Sequence, residues 1–134
     1  MLPGRRREGW TLHLVLDTSG SMVSEFARIL GAIASFCESV NVSQVHILQC
    51  DAEVTKDELV EVDQLRSFPL AGFGGSDLSP GMRRLALDPE VLAAIVITDG
   101  YIAYPAEPMP YAVLWAVTQA YFQPPYGRVV VIDG

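Results

Sequence analysis

The chain has 134 residues, half of them apolar, with 16 acids against 9 bases and a formal net charge of -7. Lys56 is its one lysine, so the clustered cations that neutralise nucleic-acid phosphates are missing. A chain this apolar, with mean hydropathy +0.27, offsets its conformational entropy and is not disordered. Its length suits one domain around one core, and no stretch approaches the ~20 apolar residues of a membrane span.

The first nine residues, with Arg5-Arg6-Arg7, read as a flexible arm ahead of a single domain over residues 10–134. Glu8-Gly9-Trp10 follows the arginines instead of an apolar leader, which points to the cytoplasm. Trp10 to Leu16 is a near-continuous apolar run, suited to a central strand buried on both faces. It runs out at Asp17-Thr18-Ser19-Gly20-Ser21. Phe26, Ile29, Leu30, Ile33 and Phe36-Cys37 then recur at helical spacing, predicting an amphipathic helix from about Met22–Ser24 to Val40-Asn41. Val45 to Cys50 predicts a second strand, and Glu53 to Asp63 a hairpin that supplies an edge strand.

The glycine-rich stretch 71–77 opens a predicted helix through Met82, Leu85, Ala86 and Leu87, with Asp77 as N-cap and Pro80 in the first turn. Val91 to Thr98 is a strand ending in Asp99-Gly100, and Ala112–Val117 and Arg128–Ile132 are two more. Cys37 and Cys50 fall inside helix and strand patterns, as small buried residues and not a disulfide framework.

This order predicts an α/β fold of three layers: a mostly parallel central sheet with an antiparallel edge hairpin, and helices on its faces. Pro105, Pro108 and Pro110 bar a regular helix between Gly100 and Tyr111, and Pro124-Pro125 interrupt the short connection from Thr118 to Gly127. The helices are therefore reduced in the C-terminal half. One face of that half-sheet is expected to be uncovered and to pack against another chain or domain.

In such sheets the loops at the carboxyl ends of the strands build the ligand site. Asp17, Ser19, Ser21, Ser76 and Asp99 all fall in those loops, and together they offer five oxygens. Hard oxygen ligands suit Mg²⁺, which keeps some water, so one position stays open for an acidic group of a partner. A single D-x-S-x-S is often only a turn that caps a helix. Its occurrence with Gly74-Gly75-Ser76-Asp77 and Thr98-Asp99-Gly100, in that order, favours a site. Asp77 reads as a helix cap and Asp51 as a turn acid or an outer support of the site. His13 and His46 lie within strands and read as core or surface residues. Tyr101, Tyr104, Tyr111, Tyr121, Tyr126 and Phe122 follow the site loop, either as a recognition rim or as cover for the sheet.

These residues, in this order and spacing, resemble the metal-ion-dependent adhesion site of a von Willebrand factor A (VWA) domain, from residue 11 onward. Leu48-Gln-Cys-Asp-Ala-Glu53, Ile97-Thr-Asp-Gly-Tyr101 and Pro124-Pro-Tyr-Gly127 narrow the resemblance to a bacterial VWA-like domain. That domain (DUF2201-like) stands at the C-terminus of predicted metallopeptidases and is often linked with MoxR-type AAA+ ATPases. The resemblance implies a Rossmann-like VWA fold and a Mg²⁺ ion, with Mn²⁺ or Ca²⁺ as substitutes, held by Asp17, Ser19, Ser21, Ser76 and Asp99. Ser76 stands where A domains usually carry threonine. The function implied is a non-enzymatic interaction module in a larger bacterial assembly. Its partner would be a protein offering Asp or Glu, such as a MoxR-type ATPase or a peptidase-like N-terminal domain, with a second copy of the chain on the uncovered face. No nucleic-acid or membrane partner is implied. The sequence has no H-E-x-x-H, so the peptidase label does not transfer. The alternative is a Mg²⁺-dependent phosphohydrolase with Asp17 as nucleophile and Asp99 on the metal. Serine at position 19, where that chemistry needs a second acid, and Lys56 in the hairpin weigh against it.

Overall fold

Six strands form one sheet in the order β3-β2-β1-β4-β5-β6. The computed structural model describes residues 10–18, 26–67, 77–100, 102–118 and 121–131; the expected N-terminal arm lies outside them. The elements in chain order are β1 (Trp10–Asp17), α1 (Phe26–Ser39), β2 (Val42–Cys50), β3 (Val54–Glu61), a 3-10 turn (Val62–Ser67), α2 (Ser79–Leu85), β4 (Ala93–Thr98), β5 (Ala112–Val117) and β6 (Arg128–Val131). All pairings are parallel except β2 with β3, which gives the expected antiparallel edge; the hairpin expected within 53–63 is instead one strand, turned back on β2 at residues 51–53.

The central position of β1 follows from its composition. Leu14, Val15 and Leu16 are fully buried although they point alternately to opposite faces. Leu14 and Leu16 join Val45, Ile47 and Ile97 beneath α1, which contributes Phe26, Ile29, Leu30, Ala34 and Cys37. Val15 joins Leu48, Cys50, Val96 and Trp115 on the other face, beneath Leu78, Met82 and Leu85 of the α2 region. The two helices thus flank the sheet, giving the three layers expected. α1 ends where Asn41 adopts φ 62, a left-handed conformation that asparagine tolerates, and β2 begins at the next residue.

β3 alternates half-buried and exposed residues, with Lys56, Asp57, Glu58 and Glu61 among them, as an edge strand should. α2 is shorter than expected. It stops at Leu85; Ala86 still packs against the core beyond it, but Leu87 is 82% exposed. Its N-cap is Leu78 and not Asp77; the Asp77 carboxylate instead accepts the Ser79 N–H one residue further out.

After β4 no helix occurs among the described residues, as the prolines require. The α2 face of β5 is covered by aromatic side chains: Tyr104, Phe122 and Tyr126 all pack around Trp115. The indole N–H donates to the Tyr126 carbonyl at 2.8 Å, and a Cβ on Gly127 would meet that nitrogen at 2.7 Å. Among the described residues the opposite face has no such cover. Leu12, Ile33, Phe36, Ile95, Leu114 and Val130 line an open apolar groove there. No helix of the described residues is long and apolar enough to cross a membrane.

A polar chain crosses the α2 face beside this packing. His13 on β1 lies opposite His46 on β2 in register, and their Nδ1 atoms are 3.0 Å apart. His46 Nε2 is 2.6 Å from Asp57 Oδ1, and Arg84 Nε donates to Asp57 Oδ2 at 2.7 Å. Burial, and then the charge of His46, hold the His13 pKa below 6.5 against the opposing pull of Asp88. For Asp57 burial acts upward, but the hydrogen bonds from His46 and Arg84 outweigh it and leave the carboxyl below 3.8. Because folded His13 binds its proton less readily than the unfolded chain does, its contribution is undiminished above pH 6.5 and is lost as pH falls towards the folded value. The melting temperature is therefore expected to drop as pH falls below 6.5, with a flatter profile for His13→Gln. The Asp57 contribution would be lost only at more acid pH, below 3.8.

Candidate functional site

β1 and β4 pair in parallel with Leu16 opposite Ile97, so Asp17 and Thr98 close the two strands side by side. The Thr98 hydroxyl donates to Asp17 Oδ2 at 2.7 Å, and both residues are 0% exposed. The same hydroxyl oxygen accepts the Gly100 N–H at 3.0 Å. With its proton on Asp17 and its lone pair on Gly100, Thr98 couples the end of β1 to the turn that carries Asp99.

That turn needs its glycine. Gly100 has φ +92, and a Cβ there would approach Phe122 to 3.2 Å. Asp99, 6% exposed, is thereby held just beyond the end of β4. On the other side, the Thr18 N–H donates to the Cys50 carbonyl at 3.0 Å, which ties the residue after Asp17 to the end of β2. The structure therefore brings Asp17 and Asp99 to adjacent strand ends at one edge of the sheet. Ser19, Ser21 and Ser76 lie outside the described residues.

The chemistry of the donors bears on what could bind. A buried carboxylate is costly unless donors or a cation compensate it, and here Asp17 and Asp99 are buried together. Beside them the Thr18 hydroxyl is fully buried with no hydrogen-bond partner among the described residues. Carboxylate and hydroxyl oxygens are hard ligands, so the residues present fit a Mg²⁺, Mn²⁺ or Ca²⁺ ion. Among the described residues no group of three or more His, Cys, Asp or Glu is gathered as a metal cluster.

Other expected participants are placed elsewhere. The backbone of Asp77 bridges to Ala103, and its carboxylate serves the start of α2. Asp51 sits in the β2–β3 turn, where its carboxylate accepts the Glu53 N–H at 3.4 Å. Tyr111 is buried and donates to the Met82 carbonyl, so it anchors α2 and is not part of a rim. Tyr104 and Tyr126 cover the sheet, Tyr121 is exposed, and Tyr101 lies outside the described residues. Thr98 is the residue whose role the sequence did not disclose. Its signal was a hydroxyl closing an otherwise apolar strand, directly before the acid.

An α/β sheet of this topology is consistent with a VWA-like domain. Residues 12–133 match the family model of the VWA-like domain DUF2201, and the chain belongs to that family. VWA-like domains are, in general, metal-dependent interaction modules. Neither a curated protein nor a solved structure matches the chain.

Replacing Thr98 by valine keeps its shape but removes both bonds of the hydroxyl. Thr98→Val is expected to cost about 1–3 kcal/mol in denaturant unfolding without divalent cations, and Thr98→Ser to recover most of it. Equal stability of all three forms would show that the clasp contributes nothing.

Proposed function

We propose that the chain is a non-enzymatic protein-interaction module that works through a divalent cation at the carboxyl edge of its sheet. Asp17, Ser19, Ser21, Ser76 and Asp99 would hold the ion. Mg²⁺ is the first choice, with Mn²⁺ or Ca²⁺ as substitutes. An Asp or Glu side chain of a partner protein would complete its coordination. The observation that carries this reading is the clasp between Thr98 and Asp17, which fixes one buried acid and the turn of the other at neighbouring strand ends.

Two carboxylates match the charge of a divalent ion without exceeding it, and neutral hydroxyl ligands add none, so an open coordination position still accepts an incoming acid. The reading places the domain in a larger cytoplasmic bacterial assembly with a MoxR-type AAA+ ATPase or a peptidase-like domain as neighbour. The open apolar groove beside α1 supports a second contact there, to another domain or a second copy of the chain.

Isothermal titration is expected to show saturable Mg²⁺ or Mn²⁺ binding that Asp17→Ala abolishes. Affinity capture with the intact protein should retain a partner that EDTA releases and that Asp17→Ala never binds. Capture that is indifferent to both EDTA and the substitution would refute a metal-dependent contact.

A further inference from the structure

The polar chain on the α2 face has a geometry that simple core packing does not require. His13 and His46 are the only two histidines of the chain, and neighbouring parallel strands set them directly opposite each other. Their Nδ1 atoms face one another at 3.0 Å, while the other nitrogen of His46 is engaged by the Asp57 carboxylate. An ionised carboxylate only accepts, so His46 carries its proton on Nε2 and, when neutral, directs the Nδ1 lone pair at His13. This is the tautomer of a metal ligand, oriented by a carboxylate behind it.

We propose that His13 and His46 form a two-nitrogen site for a borderline transition-metal ion of the zinc type, separate from the oxygen site at the strand ends. Two nitrogens each ~2.0–2.1 Å from a tetrahedral zinc ion sit roughly 3.3 Å apart, so the observed pair opens by a few tenths of an ångström while both rings turn to bring their lone pairs onto one point. Neutral His13 moves its proton from Nδ1 to Nε2 as the ion enters, and no net proton is released. Asp57 is itself braced by Arg84 from α2.

Beside the pair, His46, Asp57, Arg84 and Asp88 line a cleft of about 410 Å³. A water occupies roughly 30 Å³, so the cleft has room for bound water or for a donor from a partner. Asp57 is engaged with the far nitrogen of His46, and among the described residues no third His, Cys, Asp or Glu joins the pair in a group able to hold a metal, so water or an incoming group completes the set. Both cysteines are buried and do not compete.

The test is a zinc titration of the intact chain, followed through the ring nitrogen signals of its two histidines, with magnesium in parallel. Zinc at one equivalent is expected to move both Nδ1 signals to saturation, and magnesium to move neither. Asp57→Asn should weaken zinc binding by roughly 10- to 100-fold. His13→Gln and His46→Gln should each abolish it, while Asp17→Ala should leave it unchanged. If the glutamine variants fail to fold, the wild-type ring signals still decide. Ring signals that stay put under saturating zinc, or zinc binding lost in Asp17→Ala with both rings unmoved, would overturn the proposal.

Discussion

At the edge where β1 and β4 run out, a threonine hydroxyl donates to a fully buried carboxylate at 2.7 Å and accepts the N–H of the following turn. Placing an acid with no solvent exposure between two apolar layers is costly, and it is tolerated only where fixed donors or a cation meet it. The rest of the architecture serves that placement. Parallel pairing of β1 with both β2 and β4 sends all three carboxyl ends to one edge. The continuous burial of Leu14 to Leu16 makes the strand before Asp17 rigid on both faces. The Thr18–Cys50 and Thr118–Thr98 backbone bonds extend the pairing to the last residue on either side.

The same sheet is unequal in its cover. The β3 edge is charged, whereas Val129, Val130 and Val131 of the β6 edge are all exposed. One face of β5 carries an aromatic layer centred on Trp115, and the other leaves Leu114 and Ile95 in an open groove. The short, proline-rich connections explain the difference, since they can lay aromatic rings on one side but cannot supply a helix to the other. The high apolar fraction of the chain is thus spent partly on surface that the described residues leave exposed.

How far the sequence could be read followed the kind of signal involved. β1 and β4 were legible because an apolar run without alternation has only one comfortable place, between two layers. β3 was legible from its charges, and the missing late helices from their prolines. The offset of Asp77 was not, because an acid one residue before the cap leaves the same pattern as an acid at the cap. The early end of α2 was hidden by Ala86 and Leu87, which prolong the apolar pattern beyond the helix. The apposition of His13 and His46, like the clasp of Thr98 on Asp17, depends on strand register, which no single strand encodes. Of the five expected metal ligands, Asp17 and Asp99 lie buried at the ends of β1 and β4, and the three serines lie outside the described residues.

The central claim is that the clasped acids at the ends of β1 and β4 mark the place of a divalent ion. Paramagnetic Mn²⁺ tests this directly, because it broadens only the signals of nuclei near it. In a spectrum of the intact chain, trace Mn²⁺ should broaden the amides of Thr18, Asp99 and Gly100 first, and excess Mg²⁺ should restore them. Broadening centred instead on the acidic β3 edge, or spread evenly over the chain, would contradict the account.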